Sequence, residues 1–273
     1  MKVAYLTGKS FATSSNGPAL CRAFNACNVR TISANDLNQS ELKDIDFLML
    51  PGITGETSPY PSILPPEKAR MLYEKIEDGL IVMAECAAFY WTANHIHYNA
   101  SDGRQLERQG LGWIDGVARG PSGKGIAPND EFRYADTTTT LIEFYEGRDI
   151  CYTPICISNG PALYLSDAEQ KNPDVTITSR FIDEIGKPVA TMSKRIGDGM
   201  LVGMGVLPHI QTEQLGGKRL NPGFERHRVE LFNTIASHEE KIIRFEKLIF
   251  DQIKSHHYTL QSQSGEMPHV RVA

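Results

Sequence analysis

Up to residue 95, short apolar runs alternate with segments whose apolar positions recur every three or four residues. KVAYLTG, DIDFLMLPG and LIVMAEC are nearly continuous in apolar character, which suits strands covered on both faces, and VRTISA is a shorter alternating strand. SSNGPALCRAFNAC predicts a helix, with Ser15 and Asn16 as capping candidates and Pro18 suited to a first turn. PPEKARMLYEKIEDG predicts another: prolines open it, Ala69, Leu72, Tyr73 and Ile76 share a face, and Gly79 follows its end. AAFYWTANH, directly after LIVMAEC, continues as a helix. Buried strands alternating with helices predict a parallel sheet with helices on both faces.

The pattern then changes. Residues 101–135 are rich in Gly, Pro and charge and show weak periodicity. Strand-like segments follow in succession: TLIEFYEG, DICYTPICISNG, DVTITSRFI, PVATMSKRI and MLVGMGVLP. Gly197, Asp198 and Gly199 between the last two form a hairpin turn signal. These strands predict an antiparallel extension of the sheet. FERHRVELFNTIASHEEKIIRFEKLIFDQIK is helical, with Ile242, Phe245, Ile249 and Ile253 on one core-facing stripe. The fold expected is therefore α/β: a three-layer, flavodoxin-like, mostly parallel sheet with an antiparallel extension and C-terminal helices. Residues 1–257 are read as one domain and 258–273 as a polar tail.

Composition narrows the choice of partners. The chain has 273 residues, is 41% hydrophobic and carries a net charge of -5. No basic stripe stands out, so nucleic acid is not an expected partner. No apolar run approaches the ~20 residues that span a bilayer, and the start lacks the features of a signal peptide. A cytoplasmic location and no membrane partner are expected. The five cysteines, Cys21, Cys27, Cys86, Cys151 and Cys156, include no CxxC pair, so neither a disulfide framework nor a structural zinc is indicated. No metal and no cofactor are expected.

Cys86 falls where a buried strand meets a helix, flanked by Ala84, Ala87 and Ala88. A free cysteine is by default a small buried hydrophobe. At a tight strand–turn–helix junction, however, a side chain is pushed above the sheet edge in the manner of a nucleophile elbow. Helix N–H groups and dipole at such a junction favour a thiolate and can hold a developing oxyanion. A thiol nucleophile also needs a base and a group to orient that base. His209, just beyond MLVGMGVLP, is the candidate base, and Gln211 or Glu213 the candidate orienter. Glu85 adjoins Cys86, and its charge would raise the thiol pKa if it approached the sulfur. His95 and His97 are read as lying on the helix after Cys86, where alternate residues do not share a face. His227, His238, His256 and His257 are read as surface residues and His269 as part of the tail. In LMLPGITGETSPY, backbone N–H groups at Gly52 and Ile53 can complete an oxyanion hole with Ala87, although Pro51 and Gly52 make an ordinary turn as well.

The segments VAYLTG, LPGITGETSPY, AECAAFY, YTPICISNGPAL and LPHIQTE occur in that order. Together they resemble the class I glutamine amidotransferase-like superfamily. The closer resemblance is to the amino-terminal domain associated with eukaryotic biotin–protein ligases, and it covers about residues 1–215. By position the resemblance makes Cys86 the nucleophile and His209 its histidine. It makes Gly52 and Ile53 the oxyanion loop, Tyr60 its closing tyrosine, and Asn159, Gly160 and Pro161 the glycine-rich strand end. The elbow glycines are replaced by Ala84 and Ala88, and the acid two residues after the histidine by Gln211. No glycine- and arginine-rich biotin-binding loop and no lysine–tryptophan signature is found. The resemblance thus implies the domain standing without the ligase catalytic part.

Two functions follow. One is a cysteine-dependent hydrolase or amidotransferase-like enzyme acting on the acyl carbon of a small-molecule substrate. The other is a non-catalytic ligand-binding or regulatory module, which would use the same pocket for a ligand or a surface for a protein partner.

Overall fold

The computed structural model describes all residues except 12–15, 26–28, 54–56, 101, 123–136, 213–214, 216–224 and 265–273. The apolar runs at the start become β1 (Val3–Thr7), β2 (Arg30–Ser33), β3 (Phe47–Leu50) and β4 (Ile81–Glu85). The intervening helices are α1 (Asn16–Phe24), the short α2 (Gln39–Leu42) and α3 (Tyr60–Ile63), and α4 (Pro66–Glu77), which opens on its proline as the sequence indicates. After β4 come α5 (Ala87–Thr92), β5 (Ala93–Asn99), β6 (Gln105–Gln109) and β7 (Ile114–Gly120). Then follow β8 (Thr138–Glu146), β9 (Asp149–Ile157), β10 (Ala162–Leu165), α6 (Asp167–Gln170), β11 (Val175–Phe181), β12 (Val189–Ile196) and β13 (Gly199–Met204). Two helices close the chain, α7 (Glu225–Ala236) and α8 (Glu239–Ser264).

The strands form one sheet in the order β2-β1-β3-β4-β13-β12-β10-β7-β5-β6, with β11, β8 and β9 branching from β12. The β2-β1-β3-β4-β13 block is parallel throughout. From β13 onward antiparallel pairing predominates, and β8 with β9 and β12 with β13 are hairpins. This is the expected α/β architecture.

Pleating sorts the parallel block into two layers. Ala4, Leu6, Leu48, Leu50, Val82 and Ala84 pack with Ala69, Leu72 and Ile76 of α4 on one face. Val3, Phe47, Met49, Ile81 and Met83 pack on the other with Leu20 of α1 and Phe245, Ile249, Phe250 and Ile253 of α8. Each large apolar side chain removed from water this way contributes about 1.5–3 kcal/mol, which is why runs without alternation become central strands. At the β12–β13 turn, Gly197 has φ +58, and a Cβ there would lie 2.6 Å from the Glu77 carbonyl; both facts require glycine.

Several sequence expectations are corrected. The helix after Cys86 stops at Thr92, and residues 93–99 are a strand held between β6 and β7. His95 and His97 therefore do share a face, and both are exposed. Among the described residues, no group of three or more His, Cys, Asp or Glu side chains could hold a metal. Residues 101–135 contain β6 and β7; in β7 two inward positions are Gly116 and Gly120, so its alternation carries little apolar signal. The C-terminal helical stretch breaks at Ser237 and His238, and α8 then runs past residue 257 to Ser264. His257 is buried, not a surface residue. Ser15, Cys27, Glu213 and His269 lie outside the described residues. Among the described residues, no helix is long and apolar enough to cross a membrane.

Candidate active site

β4 delivers its last residue, Glu85, and then the chain turns sharply. Cys86 has φ 50 and ψ -107, a left-handed backbone that costs a non-glycine residue about 1–3 kcal/mol. Its N–H donates to the Met204 carbonyl at 2.8 Å, extending the β4–β13 ladder, while its carbonyl accepts from Tyr90 N–H at 3.1 Å and starts α5. The junction is a strand–turn–helix elbow with Cys86 at its apex. Ala84 and Ala88 are fully buried beside it, so alanines fit where the resemblance implies glycines.

Three segments meet the elbow. The first is the turn after β3. Backbone N–H groups of Ile53 and Ala87 hydrogen-bond toward the Cys86 sulfur. Gly52 N–H points instead to Glu85 Oε1 at 3.4 Å. Of the two loop donors considered from sequence, the one aimed at the sulfur is thus Ile53. The turn is fixed from behind: Tyr60, fully buried, donates its hydroxyl to the Pro51 carbonyl at 2.6 Å, and Phe11 bridges to Ile53. Tyr60 thus supports the loop from behind.

The second segment is the chain after β9. Cys86 Sγ donates to the Ser158 carbonyl at 3.4 Å, and the Asn159 carbonyl accepts from Tyr90 Oη at 2.9 Å. Asn159 has φ 54, and its Oδ1 is buried with no partner among the described residues. Gly160 is required by packing, since a Cβ there would lie 1.9 Å from the Gly205 carbonyl.

The third segment follows β13. Leu207 N–H donates to the Cys156 carbonyl at 2.8 Å, tying this loop to the end of β9. Leu207 and Ile210 pack with Leu231 and Ile235 of α7 and Ile242 of α8. His209, between them, is 5% exposed and sets its Nδ1 3.3 Å from Glu85 Oε2. The acid against the imidazole is therefore the residue just before the cysteine. Sequence reasoning weighed Glu85 only as a perturber of the thiol. The missed signal was its position: an ionisable residue closing an otherwise apolar strand needs a partner. Gln211 donates from Nε2 to Glu246 Oε2 at 2.9 Å, pinning the His209 loop to α8.

The electrostatics run against the thiolate that a helix end favours and in the direction expected of a nearby Glu85. The Cys86 thiol is pushed up to about 12, first by burial and then by the charge of Glu85, and the N–H groups of Ala87 and Ile53 pull it down less strongly. A short α5 and two N–H groups do not outweigh burial of the thiol together with a carboxylate one residue away. The resting thiol is neutral.

Comparisons with known proteins agree with this architecture. A crystal structure of a glutamine amidotransferase superposes with a TM-score of 0.50 at 14% identity, covering 85% of this chain and 99% of that one. A glutamine amido transferase from Methylobacillus Flagellatus superposes with a TM-score of 0.53 at 10% identity, covering 94% and 95%. These likenesses show the fold. An uncharacterized protein of Chlamydia muridarum (strain MoPn / Nigg) is 27% identical over 166 residues, which is 60% of this chain and 60% of its own length. The family model described as "Biotin-protein ligase, N terminal" matches residues 20–271. With nearly its whole length matched, the chain belongs to the biotin-protein ligase N-terminal family.

Proposed function

We propose that this domain carries out cysteine-dependent acyl chemistry on a small-molecule substrate, as a hydrolase or amidotransferase-like enzyme. The observation that carries the reading is the elbow at Cys86, with Ile53 and Ala87 N–H groups converging on its sulfur. Donors that meet at a thiol are also placed for the oxyanion that forms when that sulfur adds to a carbonyl. In this reading Sγ attacks the acyl carbon, and its proton passes to His209. His209 then returns the proton to the leaving amine or alcohol, and water cleaves the thioester by the reverse route. A resting thiol at about 12 fits a site that makes its nucleophile only as the proton is transferred, not one that stores a thiolate.

The test is release of ammonia from primary carboxamides, glutamine among them, by the protein and by its Cys86→Ser and His209→Asn variants. Turnover lost in both variants supports the reading. Turnover unchanged by Cys86→Ser refutes it.

The same thiol value favours a second reading, a ligand-binding module with a silenced site. There, small carboxamides raise the melting temperature equally in the protein and in Cys86→Ser, and no ammonia is released.

A further inference from the structure

We infer that Glu85 is the positioning residue of this site, one carboxylate holding both the oxyanion loop and the base. The inference rests on the acyl-chemistry reading and names the group on which its histidine depends. Glu85 Oε1 accepts from Gly52 N–H at 3.4 Å and Oε2 lies 3.3 Å from His209 Nδ1. The side chain is 2% exposed, so the contacts form out of water, where a carboxylate beside an imidazole acts more strongly than at a surface. A carboxylate on Nδ1 fixes the tautomer and leaves Nε2 as the nitrogen that exchanges a proton with the substrate side.

Placing the acid on the nucleophile's own strand has a chemical consequence. The Glu85 charge opposes ionisation of the neighbouring thiol, yet it favours the imidazolium that forms once the proton moves. The Sγ–H bond breaks and the proton goes to Nε2 of His209; the sulfur electron pair forms the S–C bond to the acyl carbon as the carbonyl π pair moves onto its oxygen, giving the oxyanion. Glu85 therefore suppresses free thiolate and promotes coupled transfer. Among the described residues, the ionisable groups placed at Glu85 and Cys86 are His209 from the loop after β13, set against Glu85, and Tyr60 from α3. Burial, and after it the charge of Glu85, hold the Tyr60 hydroxyl well above its usual range, so it stays neutral. Glu85 is then the charge that a single substitution can remove.

Glu85→Gln keeps an oxygen for Gly52 N–H and removes the charge. Two probes separate the roles: iodoacetamide reads the thiolate at Cys86, and p-nitrophenyl acetate reads acyl transfer. Removing the charge is expected to raise alkylation of Cys86 at pH 8 by about tenfold, the effect of roughly one pKa unit. Turnover of the ester is expected to fall by about tenfold or more, because the imidazole loses its orienting charge. Glu85→Asp, which retains the charge on a shorter arm, is expected to recover part of the turnover. Any other combination in Glu85→Gln, including both rates unchanged or both raised, overturns the inference. If Cys86→Ser turns over the ester as fast as the unaltered protein, the nucleophile reading fails and takes this one with it. If Cys86→Ser abolishes turnover and Glu85→Gln leaves it intact, only the role of Glu85 falls.

Discussion

Cys86 combines two costs at one position: a left-handed backbone and a buried thiol beside a carboxylate. Neither serves packing, since an unstrained cysteine would fill the same space. Local strain of this kind collects where geometry is set by a site. Cys86→Gly is expected to be more stable than Cys86→Ala by about 1 kcal/mol, because glycine accepts positive φ without a Cβ penalty. Urea melts of the two variants measure this, and an alanine variant as stable as the glycine one would contradict it. Gly160→Ala addresses a different constraint. Its Cβ would meet the Gly205 carbonyl at 1.9 Å, and backbone cannot yield cheaply. A loss of about 2 kcal/mol or more is expected in the same melts. The sequence made the cysteine and histidine visible because each sits at the end of an apolar run. It hid the acid, because Glu85 reads as the charged end of a strand until the loop after β13 folds back onto it.

At the scale of elements, the loop that carries His209 is held by α7 and α8 as well as by the sheet. Leu207 and Ile210 pack on those helices, and Gln211 and Thr212 bond to Glu246 and Glu239 of α8. Burial pushes the Glu246 carboxyl up to about 7, with Arg22 and the Gln211 amide opposing it. Its folded value is thus raised above the ordinary 4.5. The native state binds the proton more tightly, so this stabilising contribution is complete below the ordinary value and is lost as pH rises through about 7. Glu246→Gln is expected to gain ~2 kcal/mol over the unaltered protein at pH 8 and nothing at pH 4. Denaturant titrations at the two pH values check the sign. Element types were legible wherever an apolar period was long, as in α4 and α8. They were misread at β5 and β7, where His95 and His97 alternate outward and Gly116 and Gly120 point inward. There the pairing partners decide the structure, and local pattern does not.

For the whole molecule, the parallel block places the ends of β3, β4 and β13 along one edge of the sheet, so the Gly52–Ile53 turn, the elbow and the histidine loop emerge together. The antiparallel branch adds the end of β9, whose Ser158 carbonyl accepts from the thiol. This convergence was foreseeable from alternating strands and helices, because a parallel sheet gathers its carboxyl ends at one side. The layer formed by α8 was legible too: Phe245 is completely buried against the sheet. Phe245→Ala is expected to cost ~3–5 kcal/mol. Calorimetric melting would register that loss as a drop of several degrees, and an unchanged midpoint would show that α8 is not part of the cooperative core.

The claim on which the rest depends is that Cys86 forms a covalent acyl intermediate. The protein is incubated with p-nitrophenyl acetate, quenched in acid and digested, and the peptide bearing Cys86 is weighed by mass spectrometry. An acetyl group is expected on Cys86, formed faster than on Cys21 or Cys151 and absent when His209 is replaced by Asn. Acetylation no faster at Cys86 than at the other thiols, or unaffected by His209→Asn, would contradict it.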